Sequence, residues 1–416
     1  MTQNLFTKNF VLLILGQLTS LFGNYILKLA LSMYVLEVTG SAVIFAGILS
    51  AAMVPTVLLS PLGGILADRA NRQNIMVALD ALTGISVLCA ALLLSQHNDL
   101  TVISVLLIIL SVLGAFETPV VQACIPTMLE GSNIMKGNAV VNQAASLSYL
   151  IAPMLGGMFY AAFGLKPVMH ASVCCFFLTA LFECFIRLGY HRSRRNGSVL
   201  STVTQDFKSS MQFIAKEQTS ISKMLFLTAF SRFFVMGITL VGLPWLVRNV
   251  LGFSARFYGA AESALAIAAI LGSIAAGLLT EKLKIHNLAF ILTSLGFFII
   301  PAGFAFLLPV HPVIKYAISI VSFCGMQIAI SIFSVFAVSL IQQRTPDHLI
   351  GKVMAYTSVI TLCVQPVGQI VYGFLFDRFS HAAYLVLIPT GIIVCAVGFT
   401  SAAFFRKMES EPCSSL

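Results

Sequence analysis

Six ionisable side chains fall inside long apolar runs of this sequence: Lys28, Asp80, Glu117, Glu183, Arg232 and Glu262. A charge deep in a bilayer costs roughly 3 kcal/mol or more, so it is normally paired, hydrated or put to use. Burial favours the neutral form of a carboxyl group. A carboxyl in such a place can therefore take up and release a proton. Glu117 leads the candidates for that chemistry, with Asp80 and Glu262 beside it. Lys28 can pair with Glu117 or hold an anionic group of a ligand. Lys28 and Glu183 also fall near the ends of their apolar runs, where a structural ion pair or a snorkelling side chain is the simpler reading. Asn24 and Tyr25 accompany Lys28, Phe233 and Met236 accompany Arg232, and Gln327 lies in a later run. Phe and Met are abundant, at 33 and 15 residues. Soft, polarisable side chains of this kind suit bulky amphipathic ligands.

The elements that carry these groups follow from composition. The chain has 416 residues, 58% hydrophobic and only 9% charged. Soluble domains carry about 25% charged residues, so most of this surface must face lipid. Apolar runs near the roughly 20 residues needed to cross a bilayer recur along the whole length. Backbone groups in lipid must be satisfied within the element, so these runs should be helices. The pattern predicts an all-α membrane protein with spans at about 10–37, 42–67, 74–95, 100–123, 138–163, 166–188, 222–250, 255–280, 286–308, 312–342, 350–376 and 381–405. No alternating β-barrel pattern occurs. The first apolar run is too long for a cleaved leader and reads as the first span.

The polar stretch around residues 189–220 divides the spans six and six. The expected organisation is a six-helix bundle over 1–188, a linker over 189–220, a second bundle over 221–408 and a tail over 409–416. With both termini in the cytoplasm, most of the 24 Lys and Arg residues fall on the cytoplasmic side, as the positive-inside rule requires. The net charge of +9 thus reflects topology rather than nucleic-acid binding. The two halves also echo each other. Residues 137–153 read GNAVVNQAASLSYLIAP and residues 351–366 read GKVMAYTSVITLCVQP. Each opens a span after a short cytoplasmic loop, with Pro about fifteen residues on. Such half-chain repeats point to a transporter with its site at the interface of the halves.

The loop between spans two and three reads Gly63-Gly64-Ile65-Leu66-Ala67-Asp68-Arg69-Ala70-Asn71-Arg72-Gln73. It resembles the signature loop of the major facilitator superfamily, roughly G-x-x-x-D-R-x-G-R-(R/K). Gly64, Asp68, Arg69 and Arg72 match. Asn71 stands where the family has Gly, a position at which Asn tolerates the left-handed conformation, and Gln73 replaces a base. The resemblance implies a conformational gate: Asp68 latches onto the start of span eleven, here near Asp347 to Lys352. Ala152-Pro153-Met154-Leu155-Gly156-Gly157 is similar to the family's G-P-x-x-G-G element of exporters, with Ala152 in place of the first Gly. Pro153 is expected to kink span five, and Gly156 and Gly157 to pack it closely. Many proton-coupled members carry an Arg midway along span four. Leu110 occupies that place here, and the acid of the span is Glu117.

Overall the chain resembles the macrolide-efflux and siderophore-exporter branch of the drug:proton antiporters. Val38-Thr39-Gly40-Ser41, Pro61 to Met76, Thr118-Pro119 and Gly351-Lys352-Val353 carry that likeness. In this fold the first spans of each three-helix unit line the central cavity, which makes Asn24, Tyr25, Lys28, Glu117, Arg232, Phe233, Met236 and Gln327 the expected cavity residues. The resemblance implies a monomeric, multi-pass protein of the cytoplasmic (inner) membrane. It would export a drug, macrolide or siderophore by alternating access, driven by a proton gradient. A lipid or lysophospholipid carrier, or a solute importer of the same fold, is the alternative within transport, and a transport-dead sensor is the alternative outside it. No catalytic motif or P-loop occurs, so neither an enzyme nor drive by ATP bound to this chain is expected. Seven scattered His and nine Cys without metal-like spacing predict no metal site and no cofactor. The expected partners are an amphipathic substrate and membrane lipids.

Overall fold

The structure, a computed structural model, describes residues 5–69, 71–95, 98–187, 219–279, 283–345 and 350–410. Among the described residues twelve helices are long and apolar enough to cross a membrane. They are α1 (Lys8–Thr39), α2 (Ala42–Arg69), α3 (Arg72–Leu93), α4 (Asp99–Met128), α5 (Ser132–Phe163) and α6 (Leu165–Cys184). The seventh, α7, runs through Thr219–Gly237, Ile238–Gly242, Leu243–Trp245 and Leu246–Val250. There follow α8 (Ala255–Leu279), α9 (Asn287–Leu307), α10 (Pro312–Gln343), α11 (Ile350–Arg378) and α12 (Tyr384–Ser410). These bounds fall close to the expected spans. The main departures are α4, which runs past Pro126, and α5, which begins at Ser132. Hydropathy marks only the part of a helix that sits in lipid, and both helices extend beyond it. The expected linker and tail fall mostly outside the described residues.

Local sequence explains the helix ends. Thr7 caps α1, its hydroxyl accepting from the Phe10 N–H at 3.3 Å. The helix ends on Gly40 at φ 61°, a conformation that costs a residue with a Cβ about 1–2 kcal/mol. Asn71 caps α3, accepting from the N–H groups of Gln73 at 3.0 Å and Asn74 at 3.5 Å. Its backbone is extended, with φ −68° and ψ 109°, so the left-handed role expected at this position does not hold. Asn71→Ala is expected to cost about 1 kcal/mol, read as a lower unfolding midpoint in detergent. Asn71→Ser should be nearly neutral.

The chain divides into two compact units. One comprises Met1–Gly40, Gly47–Arg195 and Gly252–Ser263, the other Ser41–Ala46, Asn196–Leu251 and Ala264–Leu416. In the first, α1 packs on α5 and α6, and α3 packs on α4 and α6. In the second, α7 packs on α11, and α9 packs on α10 and α12. The pairings α1–α5 and α3–α6 thus recur as α7–α11 and α9–α12, the pseudo-symmetry of two related bundles.

Small residues set the seams. Gly23 lies where a Cβ would come within 2.8 Å of Cys175, bringing α1 onto α6. A Cβ on Gly156 would meet the Ile26 backbone at 3.1 Å. In the second unit Gly237, Gly242 and Gly368 let α7 and α11 meet backbone to ring and backbone to backbone. Between them α7 widens into two π-helical segments around Pro244. Proline has no N–H and its ring crowds the carbonyl four residues earlier. Wider turns relieve that crowding without ending the helix.

Candidate transport site

In the first unit four helices bring one polar cluster together. Ser20 of α1 sits with its hydroxyl oxygen 2.9 Å from Asp80 Oδ1 on α3 and 3.3 Å from Glu117 Oε1 on α4. Glu183, in the last turn of α6, lies within electrostatic reach of Asp80 and Glu117. Asp80 and Glu183 are each 1% exposed. Lys28 lies well inside α1, away from the span end expected for it. Its side chain is exposed, and Glu117 is the opposite charge that acts on it. The structure therefore joins Asp80 and Glu117, two of the expected titrating residues, and adds Ser20 and Glu183. The snorkelling role expected for Glu183 is overturned, because a side chain 1% exposed reaches no interface.

The third expected acid, Glu262, stands elsewhere in the same unit. It accepts from Tyr258 Oη at 2.5 Å and lies within electrostatic reach of Tyr25 and Tyr149. The rings of Tyr25 and Tyr149 meet edge to face at 5.4 Å. Ser263 donates to the Leu150 carbonyl at 2.6 Å, and Gly157 and Gly259 let the start of α8 touch α5. Pro153 lies within an α5 that runs unbroken from Ser132 to Phe163, and its carbonyl faces Gly259. A Cβ on Gly156 would meet the Ile26 backbone, and one on Gly157 the Ala255 carbonyl. Tyr149 and Tyr258 carried no sequence signal, since tyrosines in apolar runs usually serve the lipid interface.

The remaining expected residues fall in the second unit. Arg232, Phe233 and Met236 lie on α7, and Gln327 lies on α10, all partly buried. Phe233 joins a ring cluster, 5.0 Å from Phe234 and 6.1 Å from Tyr372. Its place is the α7–α11 seam, where its backbone meets Gly368.

Of the expected gate residues, Gly64, Asp68 and Arg69 occupy the end of α2, and Lys352 the start of α11, but the side chains of these residues, and residues 346–349, lie outside the described set. Arg72 donates from Nη1 to the Ala123 carbonyl at 2.8 Å, tying α3 to α4. Gln73 donates to the carbonyls of Glu183 and Cys184 at 3.3 and 3.1 Å. It thereby caps the C-terminal end of α6, where the family's base is missing. One carboxylate at a helix end went unnoticed in the sequence. Asp377, near the end of α11, accepts from Ser41 Oγ at 2.5 Å and from the N–H groups of Ala42 at 2.6 Å and Val43 at 3.0 Å. It caps the start of α2, and these residues belong to the same compact unit.

Comparison with known proteins settles the family. The profile described as Major Facilitator Superfamily matches residues 13–364. The chain belongs to the Major Facilitator Superfamily. This facilitator is 22% identical to macrolide efflux protein A of Streptococcus pyogenes over 401 residues, 95% of this chain and 96% of that protein. It is 24% identical to the multidrug efflux pump Tap of Mycolicibacterium fortuitum over 400 residues, 91% of each chain. Among solved structures, a mutant form of the nucleoside transporter NupG has a TM-score of 0.74 at 13% identity, covering 97% of this facilitator and all of that chain. The protein is thus a multi-pass membrane transporter with the facilitator fold. Among the described residues no group of three or more His, Cys, Asp or Glu side chains has the arrangement to hold a metal ion.

Proposed function

We propose that this facilitator exports amphipathic small molecules (a drug, macrolide or siderophore) by alternating access, in exchange for protons. The carrying observation is the end-to-end match to relatives named for macrolide and multidrug efflux, joined to a buried carboxyl on α3 and a half-buried one on α4 that share one serine. A carboxyl held among helices changes charge only at the expense of desolvation. Its protonation state can therefore bias which conformation the protein prefers. In this reading Asn24, Tyr25, Lys28, Glu117, Arg232, Phe233, Met236 and Gln327 contact substrate. Asp68, Arg69, Arg72 and Lys352, with Gly64, serve the cytoplasmic gate. The protein resides in a cytoplasmic membrane as a monomer, with both termini inside, as the distribution of Lys and Arg supports.

The test is efflux and counterflow of a macrolide in proteoliposomes, with and without a pH gradient. The gradient is expected to raise net flux about tenfold or more, equivalent to roughly 1.4 kcal/mol of drive. Glu117→Gln should abolish that gain. Flux indifferent to the gradient in the unaltered protein would sink the coupling.

A further inference from the structure

A proton count around Ser20 shows more than a set of buried acids. A serine hydroxyl has one proton and can donate it once. Ser20 Oγ nevertheless lies within hydrogen-bond distance of two carboxyl oxygens, Asp80 Oδ1 and Glu117 Oε1. One of those contacts is Ser20 donating. The other is a hydrogen bond only if that carboxyl carries the proton and donates to Ser20. A second observation comes from α6. Both oxygens of Glu183, and Oδ2 of Asp80, find no donor on any side chain or backbone group. Asp80 and Glu183, each 1% exposed and without donors on these oxygens, act on one another electrostatically, and as two carboxylates they would repel and lack solvation. One proton placed between them removes the repulsion and satisfies an oxygen on each. Gln17, one turn before Ser20 on α1 and 7% exposed, also has its amide Nε2 without a partner. The other ionisable groups facing this cluster are Lys28 on α1, which acts on Glu117, Cys184 on α6, which acts on Glu183, and Cys124 on α4, on which Glu183 and Arg72 act.

We propose that Asp80, Glu183 and Glu117, linked through Ser20, form a two-proton store inside the first unit: one proton is held between Asp80 and Glu183, and a second passes across Ser20 to and from Glu117. Asp80 and Glu183 hold their proton at rest, and Glu117, on which Lys28 acts, is the exchanging end. When the Glu117 carboxyl gives its proton to solvent it leaves a carboxylate that accepts from Ser20; the Ser20–Asp80 contact is then no longer a hydrogen bond, and the other proton stays between Asp80 and Glu183. The use of this store in transport rests on the proposed proton exchange; its occupancy does not.

The experiment is infrared difference spectroscopy of the full chain in detergent, titrated with acid and base, reading the carbonyl stretch of protonated carboxyls. Folding is checked by gel filtration and thermal melting. A protonated-carboxyl band is expected at neutral pH. It should lose about half its area in Glu183→Gln or Asp80→Asn and keep it in Glu262→Gln. Ser20→Ala removes no carboxyl and should shift the band and its titration midpoint. Absence of the band at neutral pH overturns the proposal. So does an unchanged band in both Glu183→Gln and Asp80→Asn, or, if those variants do not fold, an unchanged band in Ser20→Ala. The two readings fail separately. A band that behaves as expected, with flux that ignores a pH gradient, would sink proton exchange and leave the store. Gradient-driven flux without the band would do the reverse.

Discussion

Gly237→Val is expected to destabilise this facilitator by about 3 kcal/mol or more, at the upper end of what overpacking costs. A Cβ at this position strikes the ring of Tyr372 and comes within 3.0 Å of the Gly368 carbonyl. The carbonyl belongs to helix backbone and cannot turn aside. The ring cannot turn aside easily either, because Tyr372 is 1% exposed and its hydroxyl is hydrogen-bonded to Thr390 at 2.8 Å. Moving it breaks that bond and disturbs Phe233, Phe234 and Phe376, which surround it. The measurement is the unfolding midpoint of the purified protein in detergent. Adding Tyr372→Ala to Gly237→Val opens space on the α11 side and should recover part of the loss. A single variant as stable as the parent protein would show that α7 and α11 can separate at no cost.

Asp377→Ala should be the most damaging surface-level change. It strands the N–H groups of Ala42 and Val43 at the first turn of α2. A carboxylate at a helix start satisfies otherwise unpaired donors and faces the positive end of the helix dipole. Charged hydrogen bonds are about twice as strong as neutral ones, so a loss of about 2 kcal/mol is expected. Asp377→Asn keeps an acceptor and should recover part of it; Asp377→Glu adds a methylene where Gly373 already brings α11 against Ala42 and Ala46, and should not. Proteolysis or cysteine labelling near residues 38–46 would report the freed turn. Equal labelling in all three variants and the parent would remove Asp377 from this role.

The twelve spans were legible because bilayer thickness imposes one length on every crossing, and 58% hydrophobic residues leave little else to explain. The buried acids were legible for the same reason, since a charge stands out in an apolar run. Their grouping was not. Asp80 and Glu117 meet across Ser20, and a serine in a helix ordinarily bonds back to its own backbone. Glu183 sits at the end of its apolar run, where position alone says interface, and only the packing of α6 on α1 and α3 shows it buried. Asp377 was missed because its partners are more than 330 residues away in sequence. Asn71 and Gln73 show a subtler failure. Both departures from the family loop have local uses, Asn71 as a helix cap and Gln73 as a cap on α6, that a motif comparison scores as mismatches.

The swapped segments, Ser41–Ala46 in one unit and Gly252–Ser263 in the other, bear on how the protein is made. During synthesis the chain emerges from its amino terminus. The first unit then lacks Gly252–Ser263 until the ribosome has passed α8, and until then α5 presents the Pro153 carbonyl and the Gly157 backbone to whatever the membrane offers. A fragment ending at Arg195 should insert yet remain sticky and prone to self-association. Extending it through Ser263 should make it behave better, even though the addition is chain that sequence order assigns to the other half.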